Sequence, residues 1–343
     1  MAAAKRSKKG SSLVAATNEK AVVATYETDD FVVQVLQNDF EQTNGSAARF
    51  IFNSAAHLRT QHTGSSLFSL RLSSNKGEVD FGALIHFFVA NNQAVSLQRA
   101  SFGSVDWHGN VPDAGLIFLF SCTNEFALQR GWQSGEIRNF PQCYAPQLAE
   151  RIREMLIGQG FGVSKNQVNH DILVSEEPFY RILGNANRRR LRKCQRAGFS
   201  FEQLYGCSPQ QVYDFIAASR ARQQYRMALE LPQMERLMRD FPDQVLIFCV
   251  KDQENIACLT LAVRVNERIL YNFCPADNLD YRTYSPSVML TEGLYEFAQR
   301  SGIRVLDLGI SVDADGNLKP TLVRFKENLG GVVSEKWTFK RDY

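Results

Sequence analysis

The sequence of 343 residues is poor in the signatures that announce most chemistries. Its 7 cysteines are odd in number, with no C-x-x-C pair and no histidine at ligand spacing beside them. Neither a disulfide framework nor a zinc site is expected, and the thiols read as reduced and mostly buried. The histidines His57, His62, His86, His108 and His170 form no spaced set, so no metal is expected. No G-x-S-x-G occurs, which removes the serine-nucleophile elbow. The longest apolar run, around Leu116 to Phe120, is far below the roughly 20 residues that cross a bilayer, so no membrane insertion is expected. A formal net charge of +3 is too small to argue for nucleic acid by itself. The basic cluster Lys5 to Lys9 has no apolar stretch after it and reads as part of a flexible basic tail over 1–30. Reduced thiols and the missing leader signal give a cytoplasmic expectation.

What is present is a hydrophobic content of 44%, enough for a sizeable core. Alternating runs at Leu67–Leu72 and Phe81–Val89, either side of Asn75-Lys76-Gly77, predict a hairpin. Asp113 is placed to cap a helix ending near Gly131, Pro146 to open another, and Asp171–Val174 to close the first half as a strand. A second half then starts at Pro178 with one helix running to Gly198 and carrying Arg188, Arg189, Arg190, Arg192 and Lys193. Further helices and a meander over Val245–Val250, Ala257–Val263 and Ile269–Cys274 follow. Ser285-Pro286 reads as the cap and first residue of a helix that Gly302 stops, before the strand Ile303, Val305, Leu306. Glu125-Phe126-Ala127-Leu128-Gln129-Arg130-Gly131 echoes Glu296-Phe297-Ala298-Gln299-Arg300-Ser301-Gly302, with 297 − 126 = 171 residues between the phenylalanines. The shared element order makes the chain an internally duplicated α+β protein with mixed sheets.

A set of motifs then resembles a known family. These are Ser101-Phe102-Gly103-Ser104, Ile137-Arg138-x-x-Pro141-x-x-Tyr144, Asn187-Arg188-x-x-Leu191-Arg192-Lys193, Tyr284-Ser285-Pro286, Leu306-Asp307-Leu308-Gly309-Ile310 and Phe325-Lys326-x-x-x-Gly330-Gly331. In order and spacing they resemble the tandem GNAT-like proteins, which include the Fem-type peptidoglycan aminoacyltransferases and related acyltransferases. The resemblance implies two GNAT-like domains, 31–175 and 176–343, the second carrying the transfer site. It also implies acyl or aminoacyl transfer to an amine. No tightly bound cofactor is implied. Acyl-CoA is the expected co-substrate, and tRNA is the alternative donor carrier in a Fem-type reaction of cell-envelope synthesis.

The lysine of the Phe-Lys pair lies near the reacting ester in Fem-type relatives, which places Lys326 at the developing oxyanion, with Phe325 as its anchor. Asp307, at a strand end, is the candidate base, and Tyr284 the candidate donor to the leaving group. Arg282, Ser285 and Ser287, around a helix N-terminus, are candidates for the donor's phosphates. The usual glycine-rich GNAT loop is absent, because Pro275–Ser287 holds no glycine. Arg189 and Arg190 are candidates for gripping an anionic substrate. The acceptor is expected to be a small amine, an amino sugar or a peptide. A non-catalytic binding module on the same fold is the remaining reading.

Overall fold

The computed structural model describes residues 21–40, 48–62, 64–76, 81–313 and 315–343. The basic cluster Lys5 to Lys9 lies outside them. Within the span expected as a tail, the β-branched and aromatic run Ala21–Glu27 forms strand β1 and pairs antiparallel with β2 (Phe31–Gln37) across an Asp29-Asp30 turn. After helix α1 (Ala55–Gln61) the predicted hairpin is present as β3 (Ser66–Ser74) and β4 (Gly82–Ala90). Short strands β5 (Gln93–Val95) and β6 (Asp106–His108) follow, then helix α2 (Asp113–Gln129) and strand β7 (Ser134–Arg138). Asp113 is the first residue of α2 and makes no cap; its carboxylate takes the Arg151 guanidinium instead. Helix α3 (Pro146–Gly158) and the long strand β8 (Gly162–Leu173) complete the first half.

The second half opens with two helices where one was expected, α4 (Phe179–Ile182) and α5 (Asn185–Arg196). The break is at Gly184, whose amide donates to the Asn328 carbonyl at 2.9 Å and whose missing Cβ leaves room for the Asn328 side chain. Then come β9 (Ser200–Leu204), α6 (Pro209–Arg222), α7 (Leu231–Asp240), and the meander β10 (Val245–Asp252), β11 (Asn255–Asn266), β12 (Ile269–Asp277). Helix α8 (Pro286–Arg300), β13 (Val305–Ile310), α9 (Pro320–Glu327) and β14 (Val332–Asp342) end the chain. The internal echo has a structural counterpart. Helices α2 and α8 both end through a left-handed glycine, Gly131 (φ 67°) and Gly302 (φ 69°).

Among the described residues all the named strands share one sheet, in the order β1-β2-β3-β4-β5-β7-β14-β8-β13-β12-β11-β10-β9, with β6 on β4. Its centre is a reciprocal exchange. The last strand of the second half, β14, pairs with β7 of the first, and the last strand of the first half, β8, pairs with β13 of the second. β8 and β14 pair with each other between them. The hydrophobic core is shared likewise: one cluster contains Leu70, Phe87 and Phe126 together with Ile216, Met234 and Leu261. A second cluster lies under α8, around Phe248, Leu294 and Tyr295.

Phe339 on β14 is fully buried, opposite Ile137 on β7 and Val163 on β8. Truncating a buried Phe costs about 3–5 kcal/mol. Phe339→Ala should therefore raise amide hydrogen exchange in β3 and β11 together. A rise confined to one half would contradict a shared sheet.

Candidate active site

Parallel pairing of β12 with β13 lasts only from Ile269/Val305 to Tyr271/Asp307, after which the strands part. A cavity of about 700 Å³ opens at this fork. β12 contributes Phe273 and Asp277, β13 contributes Gly309 and Ile310, and α9 contributes Phe325 and Lys326. Lys336 comes from β14, while Ser101 and Gln167 reach in from the first half.

Lys326 is only 7% exposed. Its Nζ donates to the Gly309 carbonyl at 2.7 Å and the Ile310 carbonyl at 2.8 Å. Consecutive carbonyls of a regular strand point to opposite edges. Here the register against β8 slips between Asp307 and Gly309, and Gly309 has a φ of 75°, which brings two successive carbonyls to one ammonium. An ammonium has three N–H donors. The third has no protein partner among the described residues, and Lys326 lines the cavity. Burial lowers its pKa to about 8, against the opposing pull of the Asp307 charge. The Gly-Gly pair that follows is required by packing: a Cβ on Gly331 would stand 2.8 Å from the Lys326 carbonyl oxygen.

Asp307 is 1% exposed and sits behind the cavity wall. It accepts from Tyr144 Oη at 2.7 Å, Asn169 Nδ2 at 3.0 Å and the Gly309 amide at 2.7 Å. Directly opposite on β8 is Asp171, which accepts from Ser334 Oγ at 2.8 Å. Burial raises the pKa of Asp171, and the Asp307 charge adds to this. His170 is held low, at about 4, by burial and by the Lys326 charge, and so is neutral.

Of the other residues singled out from sequence, Phe325 and Ser287 line the cavity. Ser285 occupies the N-cap position of α8 but makes no side-chain cap. Its backbone is left-handed (φ 54°, ψ 61°), Pro286 has no N–H, and the Val288 amide is taken by the Ser285 carbonyl at 3.0 Å. Arg282 is exposed and lies off the cavity wall. Tyr284 packs 5.0 Å from the Phe199 ring with Lys193 Nζ 4.3 Å above it, away from the cavity. Arg189 and Arg190 are exposed on α5, Arg190 bonded to Asn187, and neither lines the cavity.

The fork also gathers residues that sequence reading passed over. Half-buried Lys336 has its pKa lowered to about 8 by burial, with Asp307 opposing, and its ammonium makes no hydrogen bond or ion pair among the described residues. Half-buried Asp277 is pushed up to about 6 by burial, with Arg220 opposing, and its Oδ1 has no partner. Arg220 and Lys319 flank the Tyr225 ring at 5.5 and 4.5 Å, and Arg226 lies on the same wall. The cavity is thus predominantly cationic. The only signal for Lys336 was a polar position in an alternating strand.

The equivalent fork of the first half, between β5 and β7, is filled. Phe102 packs against Phe50, Phe140 and Tyr144 at ring distances of 5.3, 6.4 and 5.6 Å. The Gly103 amide closes onto the Arg138 carbonyl at 3.0 Å. The Ser-Phe-Gly-Ser motif is therefore a plug.

Residues 185–326 match the acetyltransferase (GNAT) domain family, the match ending on Lys326. The fold of the whole chain is similar to that of FemX, at 12% identity and a TM-score of 0.64 over 89% of this chain and 94% of FemX. It is also similar to a conserved protein of unknown function from Bacteroides thetaiotaomicron (12% identity, TM-score 0.57, 87% and 93% covered). L-PGS from Bacillus licheniformis is a further neighbour (12% identity, TM-score 0.50, 76% and 81% covered). No curated protein sequence matches the chain. The chain has a tandem GNAT-like, Fem-type fold, as its motifs implied, and is α+β with one continuous mixed sheet where separate sheets were expected. Among the described residues no helix is long and apolar enough to cross a membrane.

The Asp307 charge is what holds the Lys326 pKa up against burial. Asp307→Asn should therefore move the Lys326 titration below about 8, read by ¹³C NMR of labelled lysine. An unmoved or raised value would break the proposed coupling.

Proposed function

We propose that the chain is an N-acyltransferase that moves an acyl group from an anionic, phosphate-bearing donor to an amine. The supporting observation is the third N–H of Lys326, unpaired and on the wall of a cationic cavity of about 700 Å³. The donor is an acyl thioester, acyl-CoA in the first instance, its phosphates drawn by Arg220, Arg226 and Lys319. Lys326 meets the carbonyl oxygen as the amine attacks and negative charge develops there. One donor aimed at an oxyanion contributes about 3 kcal/mol. The amine nitrogen forms the new bond and the carbon–sulfur bond breaks. The ammonium proton passes to a carboxylate, and the thiolate leaves to be protonated from solvent. Asp277 suits the base role better than Asp307, because it lines the cavity while Asp307 lies behind the wall, engaged by three donors. Asp307 then acts by keeping Lys326 charged. The acceptor is a small molecule, amino sugar or peptide amine.

A second reading, transfer from aminoacyl-tRNA in cell-envelope synthesis, is favoured by the exposed Arg189 and Arg190 on α5 and by the absence of glycine in Pro275–Ser287. tRNA would dock there through its phosphates, so binding would weaken steeply with salt. Acetyl-CoA should raise the melting temperature under the first reading. A shift with aminoacyl-tRNA alone would select the second, and no shift with either would leave a non-catalytic module.

Lys326→Ala should lower kcat by on the order of 10²-fold with the circular dichroism spectrum unchanged. Wild-type kcat in that variant would remove Lys326 from the chemistry. The pH profile follows from the same groups. Lys326 must be charged, so activity falls as pH rises through about 8; Asp277 must be ionised, so activity falls as pH drops through about 6. Asp277→Asn should abolish the acid limb. A retained limb near 6 would assign the base elsewhere.

A further inference from the structure

A second cavity of about 270 Å³ adjoins the transfer cavity, sharing Ser101, Ala228 and Phe273 as common walls. Its remaining lining is largely apolar and comes from both halves: Ile51 and Phe52 before α1, Leu229 and Leu237 at α7, and Val263 on β11. Gln98, Arg99 and Gln233 supply the polar part of the lining. His57 on α1 also lines it, and its charge state is settled by its neighbours. Gln61 Nε2 donates to the Phe52 carbonyl at 3.4 Å and to His57 Nδ1 at 2.7 Å, while Gln61 Oε1 accepts from the Arg99 amide. With Nδ1 accepting, the ring proton sits on Nε2, which has no protein partner among the described residues. Burial keeps the ring neutral at neutral pH.

An apolar space this size beside a reacting centre has a definite chemical fit. Roughly 150 Å³ of apolar cavity holds a benzene ring. By that ratio this one takes about ten carbons. We infer that the cavity receives an uncharged chain or ring of up to about ten carbons carried by one of the two substrates, with His57 Nε2–H free to bond an oxygen on it. The inference rests on the transferase reading and narrows it: the enzyme handles a medium-chain or aryl substrate. Neither an acetyl donor nor a small polar amine would fill the space. The chain enters past Phe273 and Ser101, on the wall that the two cavities share.

The source is separated by two arms. In one, acyl-CoA donors from acetyl to decanoyl are turned over with a fixed small amine. In the other, acetyl-CoA is used with amines from ethylamine to decylamine and phenethylamine. In the arm that carries the chain, kcat/KM should rise about fourfold per methylene until the cavity is full. Leu229 and Leu237 line the smaller cavity and not the transfer cavity, so Leu229→Trp, and independently Leu237→Trp, should flatten that rise while turnover of the shortest substrate is kept. Flat responses in both arms of the wild type would overturn the inference. A readout without transfer keeps the two ideas apart. Octanamide should raise the melting temperature of the wild type and not of Leu229→Trp. Octanamide binding with no turnover of any donor would sink the transferase reading and leave the apolar site standing. Turnover without chain preference or octanamide binding would do the opposite.

Discussion

The exchange of terminal strands between the halves is the constraint on which the rest of this molecule depends. β8 and β14 pair along their length, from Asp171/Val332 to Gly162/Lys340, and each also completes the other half's sheet. Without the exchange, β7 and β13 would present unpaired strand edges, which proteins avoid. With it, Asn169 and Asp171 on β8, Ser334 and Lys336 on β14 and Asp307 on β13 converge from three strands of two halves. The charged and polar cluster at the fork is a product of topology. Its members sit on three strands far apart in sequence, and no local pattern brings those strands together.

That cluster concentrates charge where charge is costly. Asp307 and Asp171 face each other in register, both nearly excluded from water. A buried carboxylate is tolerated when hydrogen bonds and opposite charges meet it. Asp307 has three donors, and the ammoniums of Lys326 and Lys336 both feel its field. The two lysines in turn would lose more of their charge to burial without that carboxylate, and each settles near 8. His170 stays neutral because burial, and after it the Lys326 charge, opposes a second cation there. The balance leaves ammonium groups on the cavity wall that are charged at neutral pH yet only weakly solvated. An electrophilic contact needs that combination.

Much of the fold could be read from the sequence because it rests on local rules. The β3–β4 hairpin follows from alternation around a turn, and α3 from proline at its first residue. The duplication was legible in one short echo, because the glycine that ends α2 and the glycine that ends α8 both require the same backbone. Lys326 was reachable only through its motif, and the reason for that motif is now physical: Gly331 must lie against the Lys326 carbonyl. Other features were not legible because they depend on partners distant in sequence. The break at Gly184 exists because Asn328 docks there. Lys336 and Asp277 matter only because β14 and β12 border the same fork. Ser285 looks like a cap by type, yet its left-handed backbone removes it from that role.

The two forks show how one fold can leave one fork open and fill the other. Both begin with a short parallel pair, β5 with β7 and β12 with β13. In the first half the strand stops at Val95, and the chain turns back so that Phe102 and Gly103 enter the gap among Phe50, Phe140 and Tyr144. In the second half β12 runs on to Asp277, held to β11 by its other edge, so the backbone stays out of the gap. The fork therefore remains open, and its character is set by the side chains that line it: Lys326, Lys336, Asp277 and the arginines. The plugged fork is not idle. Tyr144 from its aromatic packing donates to Asp307 across the halves, so the first half's closed site props the carboxylate that sustains the second half's open one.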